Sequence, residues 1–151
     1  MWPDRSTIGQ VVGLAYEWSG TLMIDQLPPD LLEAARCAQN RAYAPYSKFR
    51  VGAALVDEAD RVHVGCNVEC GSYGLTVCAE RNAVAAMVAA GGKTIGSVVI
   101  VSDSAVTPCG ACRQVLAEFA DDAPVWLIDS SGRSPGNATS LSALLPMRFK
   151  F

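Results

Sequence analysis

Apolar positions first fall into a clear helical period behind Asp30, where Leu31, Leu32, Ala35 and Ala38 share one face. The spacing predicts a helix over Asp30 to Ala42, broken at Ala44-Pro45-Tyr46-Ser47 because proline has no N–H to donate and restricts the residue before it. The pattern then changes to strands. Val51 to Asp57 is an apolar run, Glu58 to Asp60 a turn, and Val62 to Cys66 the returning arm of a hairpin. Leu75 to Ala90 carries Val77, Val84, Ala85 and Met87 among many alanines and stops at Gly91-Gly92, which predicts a helix buried on several sides. Thr94 to Ser102, with Ile95, Val98, Val99, Ile100 and Val101, has the length and composition of a strand inside a sheet. A third helix is predicted from Pro108 through Phe119, with Val115, Leu116 and Phe119 inward. A buried strand over Pro124 to Asp129, a loop over Gly132 to Asn137 and a short helix over Ser140 to Leu145 complete the series.

A hairpin followed by alternating helices and strands predicts an α/β fold: a three-layer α-β-α sandwich around a mixed sheet of about five strands. Residues 1 to 26 stand apart. Thr7-Ile8-Gly9-Gln10 resembles a helix-capping box, and Ile8, Val11, Val12, Ala15 and Trp18 share a helical face before Gly20, although Gly9 and Gly13 each cost about 1 kcal/mol there. Met23 offers a second start. The expected organisation is an N-terminal extension over 1–26 and one catalytic domain over 27–151.

Composition narrows the setting. Half of the 151 residues are hydrophobic and 18% are charged, so part of the surface is expected to be buried between copies of the chain. A net charge of −3 with scattered Lys and Arg argues against a nucleic-acid partner. The longest uncharged stretch, Ser134 to Met147, contains Pro135 and Pro146, so no membrane span or membrane partner is expected. The N-terminus lacks the basic, apolar and cleavage segments of an export signal, and a cytoplasmic location is expected in which the six cysteines stay reduced.

Reduced cysteines are metal ligands, and two segments space them for that work. Cys78-Ala79-Glu80-Arg81 and Pro108-Cys109-Gly110-Ala111-Cys112-Arg113-Gln114 would supply Cys78, Cys109 and Cys112 to one zinc ion, leaving a fourth position open. Placement at helix starts favours the thiolate form. Glu80 beside them is the candidate general acid and base, worth roughly 10² to 10⁴ in rate. Three thiolates leave a zinc site with net negative charge, so Arg81 is the candidate to donate to a ligand sulfur. A Cys-x-x-Cys alone also serves structural zinc or redox modules, which remains the reading from another class. Cys70 is the sequence-near candidate for a fourth, closing ligand; the favoured assignment makes Cys37, Cys66 and Cys70 buried or partly buried thiols and His63 a surface side chain.

Taken together, Tyr46-Ser47-x-Phe49-x-Val51-Gly52-Ala53-Ala54-Leu55, Asn67-Val68-Glu69, Ser72-Tyr73-Gly74, Cys78-Ala79-Glu80-Arg81 and Pro108 to Gln114 resemble the small homotetrameric cytidine deaminases over about Leu27 to Phe149. The resemblance implies hydrolytic deamination of cytidine and 2′-deoxycytidine, with one zinc per subunit and a glutamate that is not a ligand. It implies that Asn67 and Glu69 bond the ribose hydroxyl, that Phe49 packs beside the pyrimidine, and that the Ala79 backbone contacts the base. Tyr73 and Phe149 match residues completing a neighbouring subunit's pocket; simple core packing is the alternative for Phe49, Tyr73 and Phe149. Cys70 and Gly71 depart from the family's usual Asn and Ala beside the sugar. A deaminase of a modified cytosine nucleoside is the alternative within the same chemistry.

Overall fold

The computed structural model describes residues 24–134 and 136–149; the helix expected over Ile8 to Trp18 lies outside them. After a 3-10 turn at Ile24–Gln26 come α1 (Pro29–Asn40), β1 (Gly52–Asp57), β2 (Val62–Cys66), a second 3-10 turn (Tyr73–Leu75), α2 (Ala79–Ala89), β3 (Ile95–Ser102), α3 (Gly110–Glu118), β4 (Pro124–Asp129), β5 (Asn137–Ser140) and α4 (Leu141–Leu144). The strands form one sheet in the order β2-β1-β3-β4-β5, with β3 and β4 parallel and the other neighbours antiparallel. Parallel pairing needs a crossover, and α3 supplies it.

Strand residues alternate between two cores, as the two-residue period dictates. On one face Leu31 and Ala35 of α1 pack with Ala54, Val99, Val101, Trp126 and Ile128. On the other, Ala83, Val84 and Met87 of α2 and Leu116 of α3 pack with Ala53, Leu55, Val98, Ile100, Val125 and Leu127. Helices therefore cover both faces of a mixed sheet, the three-layer α/β architecture the alternation predicts. Every residue of β4 is buried.

Two glycines set the distance between sheet and helices. A Cβ on Gly52 would lie 2.9 Å from Gln39 Cα and closer still to Ala35 O and Gln39 N; one on Gly65 would lie 2.8 Å from Asn82 C and closer to Ala79 O and Ala83 N. The β1–β2 pair is thus held at backbone contact with α1 above and α2 below, which fixes where the first turn of α2 must sit.

Several expectations are corrected. The second helix begins at Ala79, not Leu75: Val77 and Val68 exchange backbone hydrogen bonds of 3.0 and 2.9 Å, which keeps residues 76–78 extended. The loop expected over Gly132 to Asn137 holds for its described residues up to Gly136, but Asn137 opens β5, whose Asn-Ala-Thr-Ser sequence carries no strand signal yet pairs with β4. In this chain α2 is not buried on several sides, because Ala85, Ala86, Val88 and Ala89 are exposed. His63 is buried rather than a surface side chain, since it shares the α2 side of β2 with Gly65 while Val62 and Val64 face the other core, and its Nε2 lies 2.7 Å from Asp57 Oδ2. Cys37 is exposed on the outer side of α1, 3.4 Å from Glu33 Oε1, whereas Cys66 and Cys70 are partly buried as expected.

Candidate active site

Cys78 is the N-cap of α2, Cys109 the N-cap of α3, and Cys112 sits in the first turn of α3. Because α2 and α3 lie on the same face of the sheet, their N-termini bring the three thiols together. The three Sγ atoms lie within 4.8 Å of one another, with Cys78 and Cys109 3.9 Å apart. Zinc–sulfur bonds in a tetrahedral site imply a sulfur–sulfur edge of about 3.8 Å. Donor type, spacing and two partially positive helix ends therefore fit a zinc ion. Among the described residues this is the one group of three or more His, Cys, Asp or Glu side chains able to hold a metal.

Charge on the cluster settles unevenly. A hydrogen bond from Cys112, with others from Arg81 and Cys109, lowers the Cys78 thiol to about 5, whereas donating to Cys78 and burial push the Cys112 thiol up. Arg81 Nη2 lies 3.9 Å from Cys78 Sγ and donates to Thr76 O at 3.2 Å. Arg81 is thus tied both to the first cysteine and to the extended segment preceding it.

Glu80 follows Ala79 in the first turn of α2 and is 5% exposed. Burial raises its carboxyl above the usual range, and negative charge on Cys78 adds to the rise. Ala79, fully buried, presents its backbone between Cys78 and Glu80.

The expected sugar residues meet around the turn before β1. Asn67 is buried; its Oδ1 accepts from Val51 N at 2.8 Å and its Nδ2 donates to Phe49 O at 2.9 Å. Glu69 Oε2 accepts from Tyr46 N at 2.8 Å and Ser47 N at 3.3 Å, and Oε1 accepts from Ser47 Oγ. These bonds, that of the Ser47 hydroxyl first, hold the Glu69 carboxyl below its ordinary range. Phe49 is partly buried, and its N–H donates to Ser47 Oγ at 3.0 Å. Tyr73 and Phe149 are not drawn into this chain's interior: they are 77% and 70% exposed. Tyr73 meets the edge of Tyr46 with centroids 6.1 Å apart, and Phe149 O accepts from Gln114 Nε2 at 3.1 Å. Cys70 N donates to Thr76 Oγ1 at 3.1 Å, and no bond ties Cys70 to the three-thiol cluster.

Four residues of this site were given no part by the sequence reading. Ser47 joins Glu69 to Phe49, Thr76 joins the Cys70 loop to Arg81, Asn82 Nδ2 donates to Cys66 O at 2.8 Å, and Arg113 grips the turn before Cys109. Ser47 and Arg113 stand inside the motifs, but their backbone partners are distant in sequence or follow from turns that periodicity does not reveal.

Convergent thiols on two helix ends with a buried carboxylate on the adjoining turn define a zinc-dependent hydrolase. Residues 27–128 match the family described as "Cytidine and deoxycytidylate deaminase zinc-binding region". The chain is 42% identical over 122 residues to a cytidine deaminase of Sporosarcina psychrophila, an alignment covering 79% of this chain and 88% of the relative. Its fold superposes on the crystal structure of cytidine deaminase from Burkholderia pseudomallei with a TM-score of 0.73 and 44% identity, covering 79% and 96% of the two chains. For the Mycobacterium tuberculosis cytidine deaminase structure the values are 0.69 and 38%, over 80% and 95%. The chain belongs to the cytidine and deoxycytidylate deaminase family, and zinc is its cofactor.

Proposed function

We propose that the chain converts cytidine and 2′-deoxycytidine to uridine and 2′-deoxyuridine with release of ammonia, a step of pyrimidine salvage. The observation that carries this reading is the buried Glu80 carboxylate beside the three-thiol cluster. Cys78, Cys109 and Cys112 hold zinc, which when bound supplies the Lewis acidity that lets a water lose a proton near neutral pH. Glu80 takes that proton, delivers it to pyrimidine N3 and carries a further one to the amine departing from C4. The water oxygen ends as the carbonyl oxygen at C4, and ammonia leaves. Burial suits Glu80 to this exchange, because a raised carboxyl accepts and returns a proton more evenly than an exposed one.

Asn67 and Glu69 hold the ribose hydroxyl. Each is already fixed by its own chain, and each keeps hydrogen-bonding capacity, since a carboxylate oxygen and an amide group both accommodate more than one partner. Phe49 packs beside the ring, and the Ala79 backbone reads the base. Arg81 offsets the negative charge of the thiolates. A free base would forgo the contacts with Asn67 and Glu69 and the positioning they give, so cytosine is expected to turn over more slowly than the nucleosides.

The active form is a homotetramer with shared sites. Tyr43, Tyr46, Val68, Tyr73 and Leu75 are all exposed, as are Met147 and Phe149, and the outer side of α2 is apolar and open. Patches of this kind are buried by association. Tyr73 and Phe149 then reach a neighbour's pocket. Residues 27–151 form the catalytic domain, and residues 1–26 precede it. Thiolate ligands favour a reducing, cytoplasmic setting, and the acidic net charge favours a small nucleoside over nucleic acid.

Ultraviolet monitoring of cytidine, 2′-deoxycytidine and cytosine tests this reading. Turnover of both nucleosides with little turnover of cytosine is expected. Comparable rates for cytosine and cytidine would overturn the sugar contacts, and no change with any of the three would overturn the activity.

A further inference from the structure

The three thiols are held in place by different means. Cys112 is fully buried in α3, and Cys78 is partly buried with Arg81 against its sulfur. Cys109 is exposed, so packing does not hold it. What fixes it is the turn before it. Arg113, one helical turn further on, donates from Nε to Pro108 O at 2.7 Å, from Nη2 to Thr107 Oγ1 at 2.9 Å and from Nη1 to Leu144 O at 3.0 Å. Its own N–H donates to Cys109 O at 3.0 Å. Pro108 O and Cys109 N belong to one peptide plane, so holding the oxygen fixes the plane about which Cys109 turns toward the cluster. Leu144, at the end of α4, anchors the other side of the guanidinium.

We propose that Arg113 is a positioning residue for the metal site: it clamps the Thr107-Pro108 turn against the end of α4 and so sets the direction of the least buried ligand, Cys109. The proposal rests on the reading of Cys109 as a zinc ligand but not on the identity of the substrate. A planar fork with donors on three sides suits three acceptors in three directions, and a lysine ammonium on a flexible stem cannot reproduce it. Groups that orient metal ligands typically contribute 10- to 100-fold to metal affinity.

The test measures zinc release from the loaded protein to a colorimetric chelator, together with thermal midpoints of the zinc-loaded and zinc-free forms. Arg113→Lys is expected to release zinc about 10-fold faster or more and to lose part of the stabilisation that zinc gives the wild type. Thr107→Val, which removes one acceptor at the surface, is expected to accelerate release by a smaller factor. Arg148→Lys is the control, because Arg148 also binds carbonyls, those of Ala117 and Ala120, but none in the metal turn. It should lower both midpoints equally and leave zinc release unchanged. Release at the wild-type rate from Arg113→Lys, or an equal fall of its two midpoints, would overturn the proposal. Zinc retained normally by the wild type without any nucleoside turnover would instead overturn the deaminase reading and leave the role of Arg113 standing.

Discussion

Replacing Gly65 by alanine adds one methyl group where β2 touches α2, and the consequence can be worked from the contacts. The new Cβ would lie 2.8 Å from Asn82 C and closer to Ala79 O and Ala83 N. All three are backbone atoms of the helix that carries Glu80, so no side-chain rotation relieves them. Reaching the 3.4 Å at which ordinary contact begins displaces the helix by about 0.6 Å against the most distant of the three, and by more against the others. Overpacking costs about 1–3 kcal/mol where side chains yield, so about 3 kcal/mol or more is expected against backbone, a fall in melting temperature of about 6–12 °C. The displaced turn also carries Cys78, and a shift approaching 1 Å is worth about 100-fold in rate. Melting curves, zinc content and nucleoside turnover measure these effects. Gly96→Ala is the control, since its Cβ would meet only Val56 O at 3.7 Å. A Gly65→Ala protein with wild-type melting and turnover would refute the argument that close approach of β2 positions the site.

Two further predictions concern stability and assembly. Burial alone would raise the Asp57 carboxyl, but hydrogen bonds from His63, Arg61 and Ala59 hold it at about 2 against an ordinary 3.8. Its folded value is the lower one, so about 2 kcal/mol of stability is present above about pH 4 and is lost as pH falls toward 2. In denaturant titrations the stability gap between wild type and Asp57→Asn should therefore narrow by about that amount from neutral pH to about pH 2; an unchanged gap would contradict the role of the pair. Val88, 47% exposed on the outer side of α2, is expected to be covered by another copy. Wild-type native mass should exceed the 15.9 kDa of one chain, and Val88→Glu should lower the mass and the activity together; a monomeric wild type with full activity would contradict shared sites.

Periodicity carried most of the architecture because β1, β3 and β4 are built around apolar runs and α1 repeats its leucines and alanines on one face. It failed where tertiary pairing overrides local pattern. Leu75 to Cys78 reads as helix, yet Val77 is claimed by Val68, and the helix waits for Ala79. The polar strand β5 is made by its partner β4 rather than by its own side chains. A histidine in a hairpin reads as surface, but the two-residue alternation turns His63 inward, where Asp57 receives it. The three cysteines and Glu80 were legible because spacing from two helix starts is a local property. The devices that aim them, Gly65 under α2 and Arg113 across to Leu144, join distant segments and are visible only in the fold.

The most direct test of the account is Glu80→Gln, with zinc content and cytidine turnover measured on the same preparation. The substitution keeps the size of a side chain that is 5% exposed and removes only its ability to exchange a proton. The account predicts wild-type zinc content with turnover reduced at least about 10² to 10⁴-fold. Full zinc content with substantial remaining turnover would contradict it.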